Sequence, residues 1–369
     1  MKKIRVIHFT IANVGGGVTK SVLRLWQYID RERFHFDFVT MSDKLDFAEE
    51  LEKEGCKIYY LSAYAEENLE LFTKEVREIL SNGYDVIHLQ TGWWRGFAVE
   101  KIAKEMSVPK VILYGNNTDV PIKECQSYEE ARKLHFQQRE LLTEDIATDF
   151  IACSEAAAQW LYGDKIPKEK IKIIPYAIEL EQYKYNVNIR KSYREALGIN
   201  DEFVIGHVGR FAYQKNHEFL IDVFKDIVKI DDHVKLLLIG VGELQETIRA
   251  KIRELEIEDK VIFTGKRDDI GGLMQAMDIF AFPSRFEGFG IVLIEAQAAG
   301  LKCLTSKEIP NEAKITDNIE FLEFDKKLWI DSILKYRKGY IREDMSNIME
   351  AKGWGMKAHI EIFEQIYSG

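Results

Sequence analysis

Two cations stand close together in one loop of this 369-residue chain, where they suit a phosphate group. Arg210 comes shortly after the apolar run Val204–Val208, and Lys215 precedes the next helical pattern. Arginine offers a planar fork of hydrogen-bond donors, and lysine offers a compact point charge. The pair therefore favours binding of a diphosphate at the carboxyl end of a strand. The alternative is a solvated pair of charges on a loop.

Two glutamates, Glu287 and Glu295, accompany the start of a helical pattern at Ile291–Ala299. Gly288 and Gly290 bring backbone amides to the helix start, where an anion is stabilised. A carboxylate just before that start can accept hydrogen bonds from sugar hydroxyls. Glu295 lies among apolar residues and needs a polar partner if it is buried, such as a ribose diol. The alternative is a helix-capping Glu287 and a partly exposed Glu295.

A glycine-rich loop, Gly15-Gly16-Gly17, separates the first strand-like run from the first helical pattern. Its amides suit an anion at a helix N-terminus. The loop is not a P-loop, because Thr19 rather than glycine precedes Lys20, and it does not read GxGxxG. It is either a ligand loop or a tight turn without a ligand.

Strand and helix patterns alternate along the chain in two series, and the three loops above follow predicted strands. The first series predicts strands at Ile4–Thr10, His35–Met41, Lys57–Leu61, Val86–Gln90, Lys110–Tyr114 and Asp149–Ala152. The second predicts strands at Phe203–Val208, Val234–Ile239, Val261–Thr264, Ile279–Phe282 and Lys302–Thr305. A helical tail is predicted from Lys326 onward. This alternation predicts an α/β protein with two Rossmann-like, doubly wound parallel-sheet domains that meet near residue 185. Such sheets bind ligands at the carboxyl ends of their strands, so two facing edges would form a cleft.

The composition is that of an ordinary soluble protein, with 46% hydrophobic and 30% charged residues. A net charge of −10 argues against nucleic-acid binding, which needs a basic surface. No apolar run approaches the roughly 18–20 residues that span a bilayer. Isolated cysteines suit the reducing cytoplasm, where we expect the protein; they are Cys56, Cys125, Cys153 and Cys303. A basic set either contacts the inner face of the membrane or forms a solvated helix face; it comprises Arg95, Lys101, Lys104 and Lys110.

Histidines and tryptophans in and after the predicted strands allow narrower expectations. His8, His88 and His207 lie in strand-like runs and are predicted to be structural, with satisfied hydrogen bonds. Trp93-Trp94 and Arg95 follow a predicted strand. They either stack on an acceptor sugar or lipid-linked intermediate, or pack against the neighbouring domain.

Five segments, in order and at similar spacing, resemble the retaining glycosyltransferases of family 4, which have the GT-B fold. The resemblance runs nearly the whole chain and is closest to the bacterial members that build exopolysaccharide or other surface polysaccharides. The segments read KIIPYAIELEQY (172–183), VIGHVGRFAYQKNHEFLI (204–221), VIFTGKRDDI (261–270), LMQAMDIFAFPS (273–284) and SRFEGFGIVLIEAQAAG (284–300).

The resemblance implies an acceptor-binding domain at residues 1–184 and a donor domain at residues 185–349. A C-terminal helix, at about residues 350–369, is expected to pack back on the first domain. The implied reaction moves a hexose-type sugar from a nucleotide-diphosphate sugar to a glycan or lipid-linked acceptor, with UDP as the expected nucleotide. It implies no metal, no cofactor and no nucleic-acid partner.

The resemblance also implies roles for individual residues. Arg210 and Lys215 bind the donor diphosphate and support the departing nucleotide, while Glu287 contacts the donor sugar hydroxyls; these three are the expected catalytic residues. Glu295 is expected to bind the ribose, the main chain at Lys266 and Arg267 the base, and the amides after Glu287 the sugar and distal phosphate. The full donor-binding set adds Gly16, Gly17, Asn116, Gly288, Phe289, Gly290, Ile291 and Val292 to those named.

Two departures from the family pattern leave an alternative open. Tyr114–Thr118 reads YGNNT where family members often have HSHN, and Asn116 can hydrogen-bond a sugar but cannot titrate. Gly240-Val241-Gly242 stands where GDG is common. The alternative function is a catalytically impaired paralogue that binds nucleotide sugars.

Two other enzyme classes fit the sequence poorly. A nicotinamide dehydrogenase is disfavoured because neither half has GxGxxG with an acidic residue about 20 positions further on. A glycosidase needs paired carboxylates about 5–10 Å apart. Glu287 and Glu295 are eight positions apart, or ~12 Å if both follow one helix.

Overall fold

The computed structural model describes residues 2–13, 17–120 and 128–369, and it divides the chain into two compact units. Unit 1 comprises residues 1–177 together with 356–369, and unit 2 comprises residues 178–355.

Unit 1 is built on a seven-stranded parallel sheet in the order β3-β2-β1-β4-β5-β6-β7. The strands are β1 (Ile4–Ile11), β2 (Phe34–Thr40), β3 (Ile58–Tyr60), β4 (Val86–Thr91), β5 (Lys110–Gly115), β6 (Asp149–Ala152) and β7 (Ile171–Ile173). The strand order reverses between β1 and β4, so the loops after these two strands border the crevice where such sheets bind ligands.

Helices connect the strands of unit 1, as parallel strands require. They are α1 (Gly17–Tyr28), α2 (Ala48–Lys53), α3 (Leu69–Leu80), α4 (Ala98–Glu105), α5 (Tyr128–Arg139) and α6 (Glu155–Tyr162). The amphipathic helix α3 buries Phe72, Val76 and Ile79, which recur at the spacing that places side chains on one helix face. Its N-cap Asn68 accepts a hydrogen bond from the amide of Leu71.

Unit 2 repeats the architecture with a six-stranded parallel sheet in the order β10-β9-β8-β11-β12-β13. Its strands are β8 (Phe203–Val208), β9 (Val234–Ile239), β10 (Val261–Phe263), β11 (Ile279–Phe282), β12 (Lys302–Ser306) and β13 (Ile319–Leu322). Its helices are α7 (Val187–Ala196), α8 (His217–Ile230), α9 (Gln245–Glu254), α10 (Ile270–Ala276), α11 (Ile291–Ala298), α12 (Lys326–Leu334) and α13 (Ser346–Ala351). Phe224 and Trp329 are fully buried in its core against the central strands.

The last helix, α14 (Met356–Ser368), belongs to unit 1. The Tyr367 hydroxyl and the Nδ1 atom of His88 form a hydrogen bond of 2.7 Å beneath this helix. At the surface Arg33 forms an ion pair of 2.9 Å with Glu364. The Tyr367 ring also packs against Phe36, with ring centres 5.8 Å apart, so the helix contributes both apolar and polar contacts to the sheet of unit 1.

Three structural histidines differ in how far their hydrogen bonds are satisfied. His88 has a partner at each ring nitrogen, as predicted. His207 has one, the carbonyl of Ala281 at 2.8 Å from Nδ1, while Nε2 has none among the described residues. The prediction is wrong for His8, which is fully buried among aromatic rings and has no described partner at either nitrogen. Burial, with the nearby His88, holds the pKa of His8 well below its usual value.

Several elements of the structure are not predicted from the sequence. They are β7, β13, α6 and α7, and residues 335–345 interrupt the tail that was predicted to be helical. The strands β7 and β13 have three and four residues and lie at the edges of their sheets. The start of α6 did carry a signal, because Ser154 is an N-cap that accepts from the amide of Ala157 at 3.1 Å.

Candidate functional site

The candidate site of unit 2 lies at the carboxyl edge of its sheet, where three loops follow adjacent strands. The loop of residues 209–216 follows β8, residues 240–244 follow β9, and residues 283–290 follow β11. Because the sheet order is β9-β8-β11, parallel pairing brings these loops together at one edge although they are far apart in sequence.

Lys215 and Glu287, predicted separately from two motifs, form an ion pair between Nζ and Oε1. Their side chains are only 16% and 10% exposed. The Lys215 ammonium also lies 4.8 Å from the centre of the Phe282 ring, within range of a cation–π contact. The structure therefore places one predicted phosphate-binding cation directly beside the predicted sugar-binding carboxylate.

A set of contacts around Arg285 joins the loops that carry this pair. The Arg285 amide donates to the carbonyl of Gln214 at 2.8 Å, and Gln214 Nε2 donates to the carbonyl of Phe286 at 2.9 Å. The Arg285 guanidinium donates to Asn216 Oδ1 at 2.7 Å and lies 4.4 Å from the centre of the Tyr213 ring. The sequence analysis did not identify Arg285. Its cationic side chain, two residues before Glu287, was the available signal.

Asn216 ends the first loop in the left-handed conformation, with a φ of 55°, and precedes the first residue of α8. Asparagine tolerates this conformation better than most residues. Its side chain thus reaches Arg285 while its backbone turns the chain from Lys215 into the helix.

Arg210 is more exposed than Lys215 and lies 3.5 Å from Glu243, with the two side chains 45% and 32% exposed. The Phe211 amide next to it donates to the carbonyl of Val241 at 3.1 Å, and the Leu244 amide donates to the Phe211 carbonyl at 2.9 Å. The loops after β8 and β9 are therefore connected through their main chains.

The two glycines around Val241 make that connection sterically feasible. A Cβ atom at Gly240 would lie 2.1 Å from the carbonyl oxygen of Gly209, and one at Gly242 would lie 2.6 Å from the amide nitrogen of Phe211. Both glycines of the family's GDG pattern are present, and Val241 between them is 38% exposed. The change from aspartate to valine therefore leaves the steric requirement for glycine intact.

The sequence between Glu287 and α11 turns sharply into the helix. Gly290 has a φ of 79°, in the region that favours glycine, and serves as the N-cap residue of α11. Phe289 is buried and stacks on Trp354 with ring centres 5.2 Å apart, so its side chain is used in the core of unit 2. Its main chain, with Gly288, Gly290, Ile291 and Val292, forms the entry to the helix.

Glu295 lies one turn into α11 and is 7% exposed. The neighbouring Ile294 and Ala296 are completely buried. A carboxylate in this position is costly to desolvate without hydrogen-bond partners. Its location on the helix that follows Gly290 is the one expected from the sequence.

The loop after β10 contains Lys266 and Arg267. The Arg267 guanidinium donates to both carboxylate oxygens of Asp269, at 2.7 and 2.5 Å, and this contact lowers the pKa of Asp269 to about 2. The Tyr193 hydroxyl donates to the same carboxylate at 2.9 Å. The carbonyl of Gly265 accepts from the Gly240 amide at 2.9 Å, which brings this loop beside the one after β9.

The predicted residues of unit 1 that the structure describes lie at the carboxyl edge of its own sheet. Gly16 lies outside the described residues, and Gly17 is the first residue of α1. The Asn116 amide donates to the carbonyl of Thr91 at 3.2 Å. In the same segment Tyr114 is buried, and its hydroxyl donates to the carbonyl of Ile174 at 2.6 Å. Tyr114 is therefore structural, and Asn116 begins the loop.

Two adjacent tryptophans of unit 1 have different roles. Trp94 is buried, its indole nitrogen donates to the carbonyl of Leu161 at 2.7 Å, and its ring packs on Phe97. Trp94 thus packs within its own unit. Trp93 is half-buried beside Arg95, which pairs with Glu66 at 2.9 Å.

Three further features of the described residues bear on the site. No group of three or more histidine, cysteine, aspartate and glutamate side chains there is arranged to hold a metal ion. None of the helices in the described ranges is long and apolar enough to cross a membrane. The described cysteines Cys56, Cys153 and Cys303 are buried free thiols, and Cys125 lies outside the described residues.

Comparison with known proteins gives matches along both units. Residues 15–182 match the model of Glycosyltransferase Family 4, and residues 189–336 match that of Glycosyl transferases group 1. The putative glycosyltransferase EpsF of Bacillus subtilis (strain 168) is 31% identical over 83% of this chain and 79% of its own. UDP-Gal:alpha-D-GlcNAc-diphosphoundecaprenol alpha-1,3-galactosyltransferase of Escherichia coli is 23% identical over 86% of this chain and 83% of its own.

The similarity extends to solved structures. The crystal structure of Anabaena Alr3699/HepE in complex with UDP and glucose matches with a TM-score of 0.78, at 19% identity and over the full length of both chains. With the two parallel sheets described above, this match confirms the GT-B fold that the sequence predicts.

Proposed function

Since this chain belongs to glycosyltransferase family 4, we propose that it moves a hexose-type sugar from a UDP-sugar to a glycan or lipid-linked acceptor with retention of the anomeric configuration. The proposed context is bacterial polysaccharide biosynthesis, on the cytoplasmic side of the membrane. The buried contact between Lys215 and Glu287 carries the proposal, because a cation suited to binding phosphate lies beside a carboxylate suited to binding sugar hydroxyls.

Donor binding is assigned to unit 2. Arg210 and Lys215 hold the diphosphate, Glu287 accepts from sugar hydroxyls, and Glu295 accepts from the ribose. The main chain of Lys266 and Arg267 reads the base; in support, the Arg267 side chain is already engaged with Asp269. The amides from Gly288 to Val292 hold the sugar and the distal phosphate. Acceptor binding is assigned to unit 1. Gly17 and Asn116, which lie at the carboxyl edge of its sheet, are proposed to contact the donor.

In the proposed reaction the bond between the anomeric carbon and the diphosphate oxygen breaks, and the acceptor hydroxyl forms a bond to that carbon on the same face. The acceptor proton passes to the departing diphosphate oxygen, so no side chain is needed as a base. The acceptor attacks the anomeric carbon directly, so no side chain acts as a nucleophile. The protein contributes orientation and charge stabilisation. Arg210 and Lys215 supply positive charge at the leaving group, and the proposed transfer therefore proceeds without a metal ion.

A panel of nucleotide sugars tests the proposal in two stages. Thermal shifts identify the donor, and release of nucleoside diphosphate with an acceptor measures turnover. Lys215→Ala and Glu287→Ala are expected to lose most activity, roughly 100-fold or more as for other preorganised electrostatic groups. Asp201→Asn, at an exposed site before β8, is the control. Near-normal transfer by both site variants contradicts the proposal, and activity that EDTA abolishes contradicts its metal-free form.

A second candidate function, a catalytically impaired nucleotide-sugar-binding paralogue, is motivated by one observation. Asn116 stands where family members often have histidine, and its side chain cannot titrate. Binding of a nucleotide sugar without release of nucleoside diphosphate, with any acceptor tested, supports this candidate. Restoration of turnover by Asn116→His assigns the impairment to this position.

A further inference from the structure

We propose that Glu287 weakens the binding of free nucleoside diphosphate by competing with it for Lys215, and thereby favours product release. The inference rests on the proposed function, since it takes the diphosphate to lie beside Lys215. It adds a second role for Glu287, which acts on the product as well as on the donor sugar.

The contact of Lys215 with Glu287 is shielded from water. The two side chains are 16% and 10% exposed, and the ammonium also faces the Phe282 ring. An ion pair gains strength when water is excluded, because the effective dielectric constant falls. A diphosphate that binds Lys215 must share the ammonium with this carboxylate or displace it.

The second predicted phosphate-binding cation provides an internal comparison. Arg210 also has a carboxylate partner, Glu243, but at 3.5 Å and with side chains 45% and 32% exposed. Exposed pairs contribute little, because water and salt screen the two charges. Competition between carboxylate and phosphate is therefore stronger at Lys215 than at Arg210, because the ammonium of Lys215 is less exposed to water.

The donor and the product differ in what they offer the carboxylate of Glu287. A bound donor brings sugar hydroxyls, which can donate to Glu287 while the diphosphate takes Lys215. The product lacks the sugar, so Glu287 is left facing two phosphates without a donor from the ligand, and it returns to Lys215. The same carboxylate thus favours the sugar-bearing nucleotide over the free diphosphate.

The surrounding contacts limit how far Glu287 can move away. Its neighbours Arg285 and Phe286 are hydrogen-bonded to Gln214, at 2.8 and 2.9 Å, on the loop that carries Lys215. The backbone positions of the lysine and the glutamate are therefore coupled. The carboxylate stays within reach of the ammonium when the nucleotide changes.

Isothermal titration of the full chain with UDP tests the inference. Glu287→Gln keeps the size and polarity of the side chain but removes its charge, and it is expected to bind UDP about tenfold or more tightly than the wild type. Glu243→Gln is expected to change the dissociation constant only about twofold, because its pair is exposed. Asp201→Asn removes one negative charge at the opposite edge of the sheet and controls for net charge.

A Lys215→Met background separates competition from direct repulsion. There, Glu287→Gln is expected to change the affinity for UDP less than about twofold, because the shared cation is gone. An equal gain in both backgrounds, or an unchanged or weakened affinity of Glu287→Gln with an unaltered melting temperature, overturns the inference. Either result leaves wild-type UDP binding in place, whereas a wild type that binds neither UDP nor another nucleoside diphosphate fails the proposed function itself.

Discussion

The guanidinium of Arg285 donates to the side-chain oxygen of Asn216 at 2.7 Å, across 69 positions of sequence. The same guanidinium stacks 4.4 Å above the Tyr213 ring, and the Arg285 amide bonds to the Gln214 carbonyl. The contacted residues Tyr213, Gln214 and Asn216 flank Lys215 on the first loop. Arg285 itself lies two residues before Glu287 on the second loop. Arg285 is therefore placed to set the distance between the two predicted catalytic side chains.

Replacing Arg285 is expected to disturb this distance. Arg285→Ala removes both the hydrogen bond and the ring contact, so we expect a rise in the donor KM and a fall in kcat of about tenfold or more, since small misplacements are costly in catalysis. Arg285→Lys keeps the charge but lacks the planar fork, and we expect it to recover only part of the loss. Steady-state kinetics with the identified donor measures both constants. Equal kcat and KM in wild type and Arg285→Ala would show that Arg285 has no positioning role.

A methyl group at Gly242 is expected to separate the loops after β8 and β9. Its Cβ atom would lie 2.6 Å from the amide nitrogen and the carbonyl oxygen of Phe211, which are backbone atoms with little room to move. Displacement of Phe211 carries Arg210 with it, so we predict that Gly242→Ala weakens UDP binding about tenfold, measured by titration calorimetry. Gly55→Ala is the control: it has a φ of +85° but no atom within 4 Å, so it tests general backbone strain. Equal UDP affinity of Gly242→Ala and wild type contradicts the steric argument.

The motifs of unit 2 were predictable because their chemistry is local. Arg210 and Lys215 follow a clearly apolar strand, and Glu287 precedes a helix that begins just after a glycine, so each loop could be placed at a strand end. Parallel pairing of β8 with β11 then explains why Lys215 and Glu287 meet. Their direct ion pair depends on side-chain conformation, which neither motif specifies by itself.

The elements and contacts that were not predicted from the sequence have physical causes of two kinds. The short strands β7 and β13 are held at the sheet edges by pairing with β6 and β12, which are contacts that their own sequences do not specify. Contacts such as that of Arg285 with Asn216 join segments about 70 positions apart, and the sequence of neither segment indicates its contact with the other. The missing hydrogen bonds of His8 are likewise a property of its packed surroundings, not of the strand that carries it.

Arg342 offers a test of how the helices behind the site are held. Its guanidinium donates to the carbonyl of Ala299 at the end of α11, at 2.6 Å, and to that of Met277 after α10, at 3.0 Å. Burial lowers its pKa to about 10, so it remains charged at neutral pH. Hydrogen bonds from a charged group contribute about 1.5–3 kcal/mol, and a positive charge also favours helix C-termini.

We therefore predict that Arg342→Met lowers the free energy of unfolding by about 3 kcal/mol, measured by urea denaturation. Arg342→Lys, which keeps the charge but offers fewer fixed donors, is expected to lose less. Lys338→Met, a basic side chain in the nearby sequence, is the control for removal of one charge. A loss by Arg342→Met no greater than that of Lys338→Met would contradict the capping role.

Acid is expected to destabilise unit 1 through its buried histidines. Burial lowers the pKa of His88 to about 3 and that of His359 to about 4, and it holds that of His8 well below the usual value. An unfolded chain restores each of these pKa values to about 6.5, so below that pH unfolding takes up protons. The contribution of the neutral imidazoles is therefore complete above about pH 6.5 and is lost as the pH falls from there towards the folded values.

His8→Leu removes one of these groups and the two ring nitrogens that have no described partner. We predict a variant that is more stable than the wild type, with an advantage that grows by about 1.4 kcal/mol between pH 7.5 and pH 5.5, the uptake of one proton over about one pH unit below 6.5. Urea denaturation at both pH values measures the difference. Phe36→Leu, which alters the ring packed 4.7 Å from His8, controls for packing alone and should shift stability equally at both. An advantage of His8→Leu that stays constant with pH would mean that His8 does not take up a proton on unfolding in this range.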